Sequence, residues 1–200
     1  MEEKLVGRVL RSSTTGYACG TRSHELETPS FGAFVQTTHI NGSGEPPIDV
    51  IGLIYAIHID DDPLVRQLIM ANQIGVTTLR DQRENRMVPV EISVVNIGYR
   101  IQGESFHNLP PRPPMSLDPV YICDDDCIYD FTQKFDFFRL VLNTSEVPAE
   151  ELLAATLKHA ASARPMREQR DFLIGAGRRL AQLLSYDLPR LNHLLRLIRP

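Results

Sequence analysis

Leu5-Val6-Gly7-Arg8-Val9-Leu10 is the first of four short apolar runs that decide the fold of this chain. The other three are Tyr17-Ala18-Cys19-Gly20, Phe31-Gly32-Ala33-Phe34-Val35 and Val50-Ile51-Gly52-Leu53-Ile54-Tyr55-Ala56-Ile57. Each run contains a glycine, and residues that favour turns separate one run from the next. Short β-type runs at this spacing are typical of a small closed β-barrel. Because such barrels usually serve binding or assembly, the pattern says more about partnership than about catalysis.

Strands dominate residues 1–100, which we predict to form the barrel domain. The predicted strands are Leu5–Arg11, Tyr17–Arg22, Phe31–Thr37, Ile48–Ile59 and Val88–Tyr99. Pro89 marks the start of the last strand or a sheet edge, since proline cannot donate to a β-ladder. Asp60-Asp61-Asp62-Pro63 predicts a short helix that ends near Ala71. The three aspartates suit helix capping better than a divalent cation, because they lack the spaced ligands of a calcium loop.

Residues 101–147 differ from the barrel in composition. The segment Gly103–Pro119 contains five prolines, so it should be extended and lie across a surface. A structural strap is the favoured interpretation, and a proline-rich ligand for another module is the alternative. Four phenylalanines follow within Ile128–Leu140, which we expect to be a helix packed under the strap.

Residues 148–200 predict a helical tail. One helix begins at Pro148-Ala149-Glu150-Glu151, a second follows Pro165, and Asp187 can cap a third that tolerates Pro189 in its first turn. The expected architecture is therefore α+β: a small N-terminal barrel, a proline-rich connection and a C-terminal helical region.

Charge is distributed unevenly along the chain, whose net charge is −4. The tail from Pro148 onward has nine Lys or Arg against five Asp or Glu, whereas the remainder has 12 against 20. This asymmetry suits a charge-complementary partner, although ordinary helix-surface arginines also explain it. The sequence has no apolar run long enough to cross a membrane and no signal peptide. Three cysteines give no disulfide framework, so we expect a cytoplasmic location.

Cys123-Asp124-Asp125-Asp126-Cys127 is the most conspicuous candidate for chemistry. Two thiols four residues apart could share a metal, but a tetrahedral zinc site usually needs four ligands. The neighbouring carboxylates also disfavour thiolates. Capping of the following helix by the aspartates is therefore the better interpretation.

Catalytic motifs are missing from the sequence. It contains no nucleophile elbow, phosphate-binding loop or dinucleotide fingerprint. The six histidines occur singly and never at ligand spacing: His24, His39, His58, His107, His159 and His193. We therefore predict a protein that is not an enzyme and needs no cofactor or metal.

Four arginines are the candidate interaction surface. Arg83 and Arg86 belong to a dense polar run beside the Val88–Tyr99 strand, and Arg178 and Arg179 belong to the basic tail. A solvated face is the alternative for the polar run. Direct nucleic-acid binding by the tail is the less favoured prediction, because no aromatic residues interleave with its arginines to stack bases.

Three of the opening motifs resemble the HAS barrel, the small N-terminal barrel of HerA-type DNA-translocating ATPases and of rotary ATP synthase subunits. They are Val6-Gly7-Arg8-Val9, Phe31-Gly32-Ala33-Phe34-Val35 and Val50-Ile51-Gly52-Leu53-Ile54. In that family a phosphate loop and a RecA-like core follow the barrel, and here they do not. The resemblance therefore implies a barrel used for docking without the motor.

The resemblance implies that the protein is an accessory subunit. In the family the barrel organises the ATPase ring and provides the docking face for a NurA-type nuclease. Our leading hypothesis is a non-enzymatic subunit of such a DNA-processing complex. The tail would add a second contact or self-association. The alternative is a barrel that binds a small ligand or a nucleotide, or an enzyme of unfamiliar type.

Overall fold

The β-strands form a closed barrel in the computed structural model, which describes residues 4–22, 29–39, 46–59, 70 and 89–199. The strands are β1 (Leu5–Ser12), β2 (Gly16–Arg22), β3 (Phe34–His39), β4 (Ile48–Ile59), β5 (Pro89–Ile101), β6 (Glu104–Phe106) and β7 (Pro119–Ile122). They pair antiparallel in the order β2-β1-β7-β3-β4-β5, and β2 also pairs with β5. This last pairing closes a six-stranded ring, outside which β6 extends β5 as a hairpin.

The seam between β2 and β5 is continuous, from Gly16 opposite Val95 to Arg22 opposite Pro89. Gly16 allows the two strands to approach closely at one end, since a Cβ there would lie 2.4 Å from the carbonyl oxygen of Val94. Pro89 is the first residue of β5. The prediction from the strand proline is thereby confirmed, as are the Ile48–Ile59 strand and the barrel itself.

Strand β7 begins at Pro119, the last residue of the predicted strap. It pairs with β1 on one side and with β3 on the other, and thus fills the gap between them. The barrel therefore extends beyond the predicted boundary at residue 100. A four-residue strand shows too little alternation to be recognised locally, and its pairing with β1 depends on a contact between distant parts of the chain.

The proline-rich segment between β6 and β7 lies along β1. Ser12 Oγ donates to the Pro114 carbonyl at 2.5 Å. The Leu117 N–H donates to the Val9 carbonyl at 2.8 Å, and the Val9 N–H donates to the Asp118 carbonyl at 3.0 Å. The segment is thus extended across the barrel surface, as its prolines predict.

Five helices in the described residues follow the barrel: α1 (Asp125–Phe131), α2 (Phe138–Leu142), α3 (Ala149–Ser162), α4 (Met166–Leu183) and α5 (Leu188–Leu197). The predicted single helix Ile128–Leu140 is wrong, because the chain turns between α1 and α2. Thr132 Oγ1 donates to the Ile128 carbonyl at 2.6 Å at the end of α1. The turn carries Phe137 into the core, where it is fully buried. The three tail helices are confirmed, and the Asp187 side chain caps α5 by accepting from the Arg190 N–H.

Two apolar clusters hold these elements together. One fills the barrel and includes Val9, Cys19 and Ile92. The other lies between the barrel wall and the helices, where Phe34 from β3 shares a cluster with Phe137. Alternate residues of the strands supply the two clusters, as the pleat of a β-strand dictates.

The predicted helix from Asp60 to Ala71 lies outside the described residues, apart from residue 70. Within the residues that are described, no helix combines the length and the apolar character needed to span a membrane.

Candidate functional site

A cleft of about 590 Å³ lies between the barrel wall and the helical layer. Its barrel side consists of residues 11–13 and 15–18 in the β1–β2 hairpin, residues 93–96 of β5, and Tyr55 of β4. Its other side consists of Leu109, Leu140 and residues 143–146, which follow α2. Segments far apart in the sequence thus meet around one concave surface of the size that small-molecule sites usually have.

Asn96 shapes the barrel side of the cleft. Its side chain is fully buried, and Nδ2 donates to the Thr14 carbonyl at 3.0 Å and to the Ser13 carbonyl at 3.4 Å. The Asn96 N–H also donates to the Thr15 carbonyl at 2.9 Å. The amide therefore fixes the β1–β2 turn against β5. Its Oδ1 has no hydrogen-bond partner among the described residues, which is costly for a buried acceptor.

Arg11 is the cation among the lining residues of the cleft, and it is paired with an acid. Arg11 donates to Glu91 at 2.8 Å, a hydrogen bond that holds the pKa of Glu91 below its usual value and that of Arg11 above it. Glu146 is the acid among the lining residues. Hydroxyl and amide groups provide the rest of the polar lining, from Ser12, Ser13, Thr15, Tyr17, Tyr55, Ser93, Asn96, Asn143, Thr144 and Ser145. The cleft therefore suits a neutral polar molecule better than a phosphorylated one.

The three cysteines are free and buried away from the cleft lining. Burial raises the pKa of Cys19, inside the barrel, to about 12. Burial also raises the pKa of Cys123, whereas a hydrogen bond from Cys123 lowers that of Cys127. Asp124 accepts from the Cys127 N–H at 2.8 Å as the N-cap of α1, so the capping interpretation is confirmed for this aspartate. Among the described residues, no three His, Cys, Asp or Glu side chains are grouped as metal ligands.

An exposed apolar surface lies on the opposite side of β1 from the barrel interior. We call Leu10, Met115 and Leu117 the barrel patch; they are 52%, 61% and 70% exposed. Backbone contacts hold the two segments together, since the Leu117 N–H donates to Val9 and Ser116 Oγ lies 3.4 Å from the Leu10 carbonyl. The barrel patch therefore joins one strand and the strap on a single surface.

Leu117 has an unusual backbone conformation. Its φ angle is +74°, in the left-handed region that bulky residues rarely adopt. The same residue leaves most of its apolar side chain in solvent, so the conformation does not serve core packing. Leu117 adopts this conformation in a turn that the Asp118 N–H closes by donating to the Met115 carbonyl at 3.1 Å.

The described residues include two of the four arginines predicted as an interaction surface. Arg83 and Arg86 lie outside the described residues. Arg179 donates to Asp136 Oδ1 at 2.9 Å, whereas Arg178 is exposed on α4. The two tail arginines are therefore adjacent in sequence but differ in their availability to a partner.

Sequence reasoning missed both the cleft and the barrel patch. Asn96 was the one local signal for the cleft, because it is a polar residue within an apolar strand. Nothing local signalled the barrel patch, whose residues come together through hydrogen bonds between β1 and the strap.

Comparison with known proteins gives no match, either to a protein-family model or to a curated protein.

Proposed function

We propose that this protein is a non-enzymatic interaction subunit that docks through its barrel on an oligomeric ATPase or nuclease of a DNA-processing, HerA/NurA-like complex. The barrel patch is the observation that carries the proposal. Three exposed apolar side chains on adjoining segments, one of them in a strained conformation, favour a protein contact. The kind of partner comes from the resemblance of the opening strands to the HAS barrel.

The substitution Leu117→Asn separates docking from folding. Asparagine tolerates the left-handed conformation, so the free energy of unfolding should be unchanged or rise by up to about 1 kcal/mol. Loss of the apolar side chain should weaken binding about tenfold, equivalent to about 1.4 kcal/mol. Biolayer interferometry against a purified HerA-type ATPase and a NurA-type nuclease measures the affinity, and urea unfolding measures the stability.

Met166→Asn is the matched control, because Met166 is 87% exposed at the start of α4. It should bind as the wild-type chain does. Failure of the wild-type chain to bind either protein would overturn the proposed function. Equal affinity of the Leu117→Asn and wild-type chains would overturn the assignment of the barrel patch.

The cleft supports a second candidate function, the binding of a neutral polar small molecule. The observation that favours it is the buried Asn96 with an unpartnered Oδ1 beside a cavity of about 590 Å³. A ligand at a hundred times its Kd would stabilise the fold by about 2.7 kcal/mol. A monosaccharide or an uncharged nucleoside that binds the cleft should therefore raise the Tm by several degrees in a thermal-shift measurement.

Ser145→Trp should abolish that shift, because a bulky side chain would fill the cleft from its exposed rim. Ser185→Trp, in the exposed turn between α4 and α5, is the control and should preserve it. The ligand hypothesis fails if neither class of compound stabilises the wild-type chain, or if the Ser145→Trp variant responds equally.

A further inference from the structure

A second open groove lies on the helical layer, between α4 and α5. It has a volume of about 370 Å³, and Leu173, Ile174, Leu195 and Ile198 provide most of its apolar surface. Gly177 lies in its wall at the point where the helices approach, since a Cβ there would be 3.3 Å from Leu195 Cδ2. Small residues on α4 therefore create an apolar groove that the described residues leave open.

Arginines flank this groove. Arg178 of α4 and Arg199 after α5 line it, and both are exposed. Two other tail arginines have acidic partners on different helices or turns: Arg179 pairs with Asp136, and Arg190 pairs with Glu150. With the described part of the chain, by contrast, Arg178 and Arg199 form neither an ion pair nor a hydrogen bond. Two guanidinium groups without a partner among the described residues thus border the apolar surface.

We infer that this helix groove binds an acidic amphipathic helix of a partner protein. The apolar side chains of that helix would enter the groove at helical spacing, and carboxylates beside them would pair with Arg178 and Arg199. A nucleic acid fits less well, because the groove lining contains no aromatic side chain on which bases could stack. The inference deepens the proposed function by adding the chemistry of a partner segment, and it concerns a different surface from the barrel patch.

Selection from a displayed library of helical peptides tests the inference on the full chain. Peptides that bind the wild-type chain should be enriched in Leu or Ile at positions i, i+4 and i+7, with Asp or Glu beside them. Their affinity should fall as the salt concentration rises, because exposed ion pairs are screened. Enrichment of peptides without acidic residues would overturn the inference.

Variants locate the binding of the selected peptides. The double substitution R178E/R199E should weaken it by about tenfold or more, and Gly177→Leu should abolish it by filling the groove. Arg178 and Arg199 are both exposed, so R178E/R199E should fold normally even if Gly177→Leu prevents folding. Arg167→Glu is the control and should bind normally, because Arg167 is exposed at the start of α4, outside the groove lining, and pairs with its neighbour Glu168.

Three outcomes contradict the assignment. The selected peptides could bind R178E/R199E as tightly as wild type, a DNA duplex could compete for the groove, or R178E/R199E could dissociate a dimer of this chain. Docking on the ATPase or nuclease is tested separately, by comparing the affinities of the Leu117→Asn and wild-type chains. The groove assignment can therefore fail while the proposed function stands, and the reverse also holds.

Discussion

Phe137→Ala is expected to lower the free energy of unfolding by about 3–5 kcal/mol, the largest effect of any substitution considered for this protein. Phe137 is fully buried between the barrel wall and the helices. Its ring lies 5.0 Å from that of Phe138, 5.7 Å from that of Phe131 and 5.5 Å from that of His107, measured between centroids. Removing the ring leaves a cavity that residues from several elements would have to fill together.

Urea unfolding followed by circular dichroism measures this loss. Tyr186→Ala is the control, since Tyr186 is fully exposed between α4 and α5 and its truncation should change stability by less than about 0.5 kcal/mol. A loss for Phe137→Ala no greater than that for Tyr186→Ala would show that the barrel and the helices do not share this core.

Gly32→Ala should destabilise the fold by about 2–4 kcal/mol, from backbone strain and overpacking together. Gly32 has a φ of +80°, and a Cβ there would lie 2.6 Å from the Cβ of Ala155 on α3. The Gly32 N–H also donates to the Ile54 carbonyl, which fixes this turn to the barrel. The glycine therefore allows the barrel to pack directly against α3.

Gly103→Ala separates the two causes. Gly103 has a nearly equal φ of +85°, but a Cβ there would meet no atom within 4 Å. Its substitution should cost only the conformational part, about 1 kcal/mol. Thermal and urea unfolding measure the loss of stability in both variants. The amount by which Gly32→Ala loses more than Gly103→Ala reports the packing between the barrel and α3. Equal losses for the two variants would contradict that packing.

Local signals in the sequence predicted much of the fold. Alternation and glycine placement indicated the barrel, Pro89 marked the start of β5, and Asp187 marked the start of α5. These features depend on backbone chemistry within a few residues, so a single sequence suffices to identify them. The α+β architecture with a helical C-terminal region follows from the same local patterns.

Long-range features could not be predicted in this way. Strand β7 is recognisable only from its pairing with β1 and β3, and the break between α1 and α2 depends on Phe137 entering a core built by distant strands. The cleft and the barrel patch have the same origin, since each combines segments that meet only in the folded chain. Asn96, a polar residue in an apolar strand, was a local sign of one of them.

Hydrogen–deuterium exchange of the chain, with and without a bound HerA-type ATPase or NurA-type nuclease, tests docking through the barrel. We expect the complex to protect amides in residues 5–12 and 115–118, the two segments that carry the barrel patch. Amides in the cleft turn at residues 13–16 should exchange at unchanged rates. A complex that protects neither barrel-patch segment, or the absence of any complex, would show that the protein does not dock through its barrel.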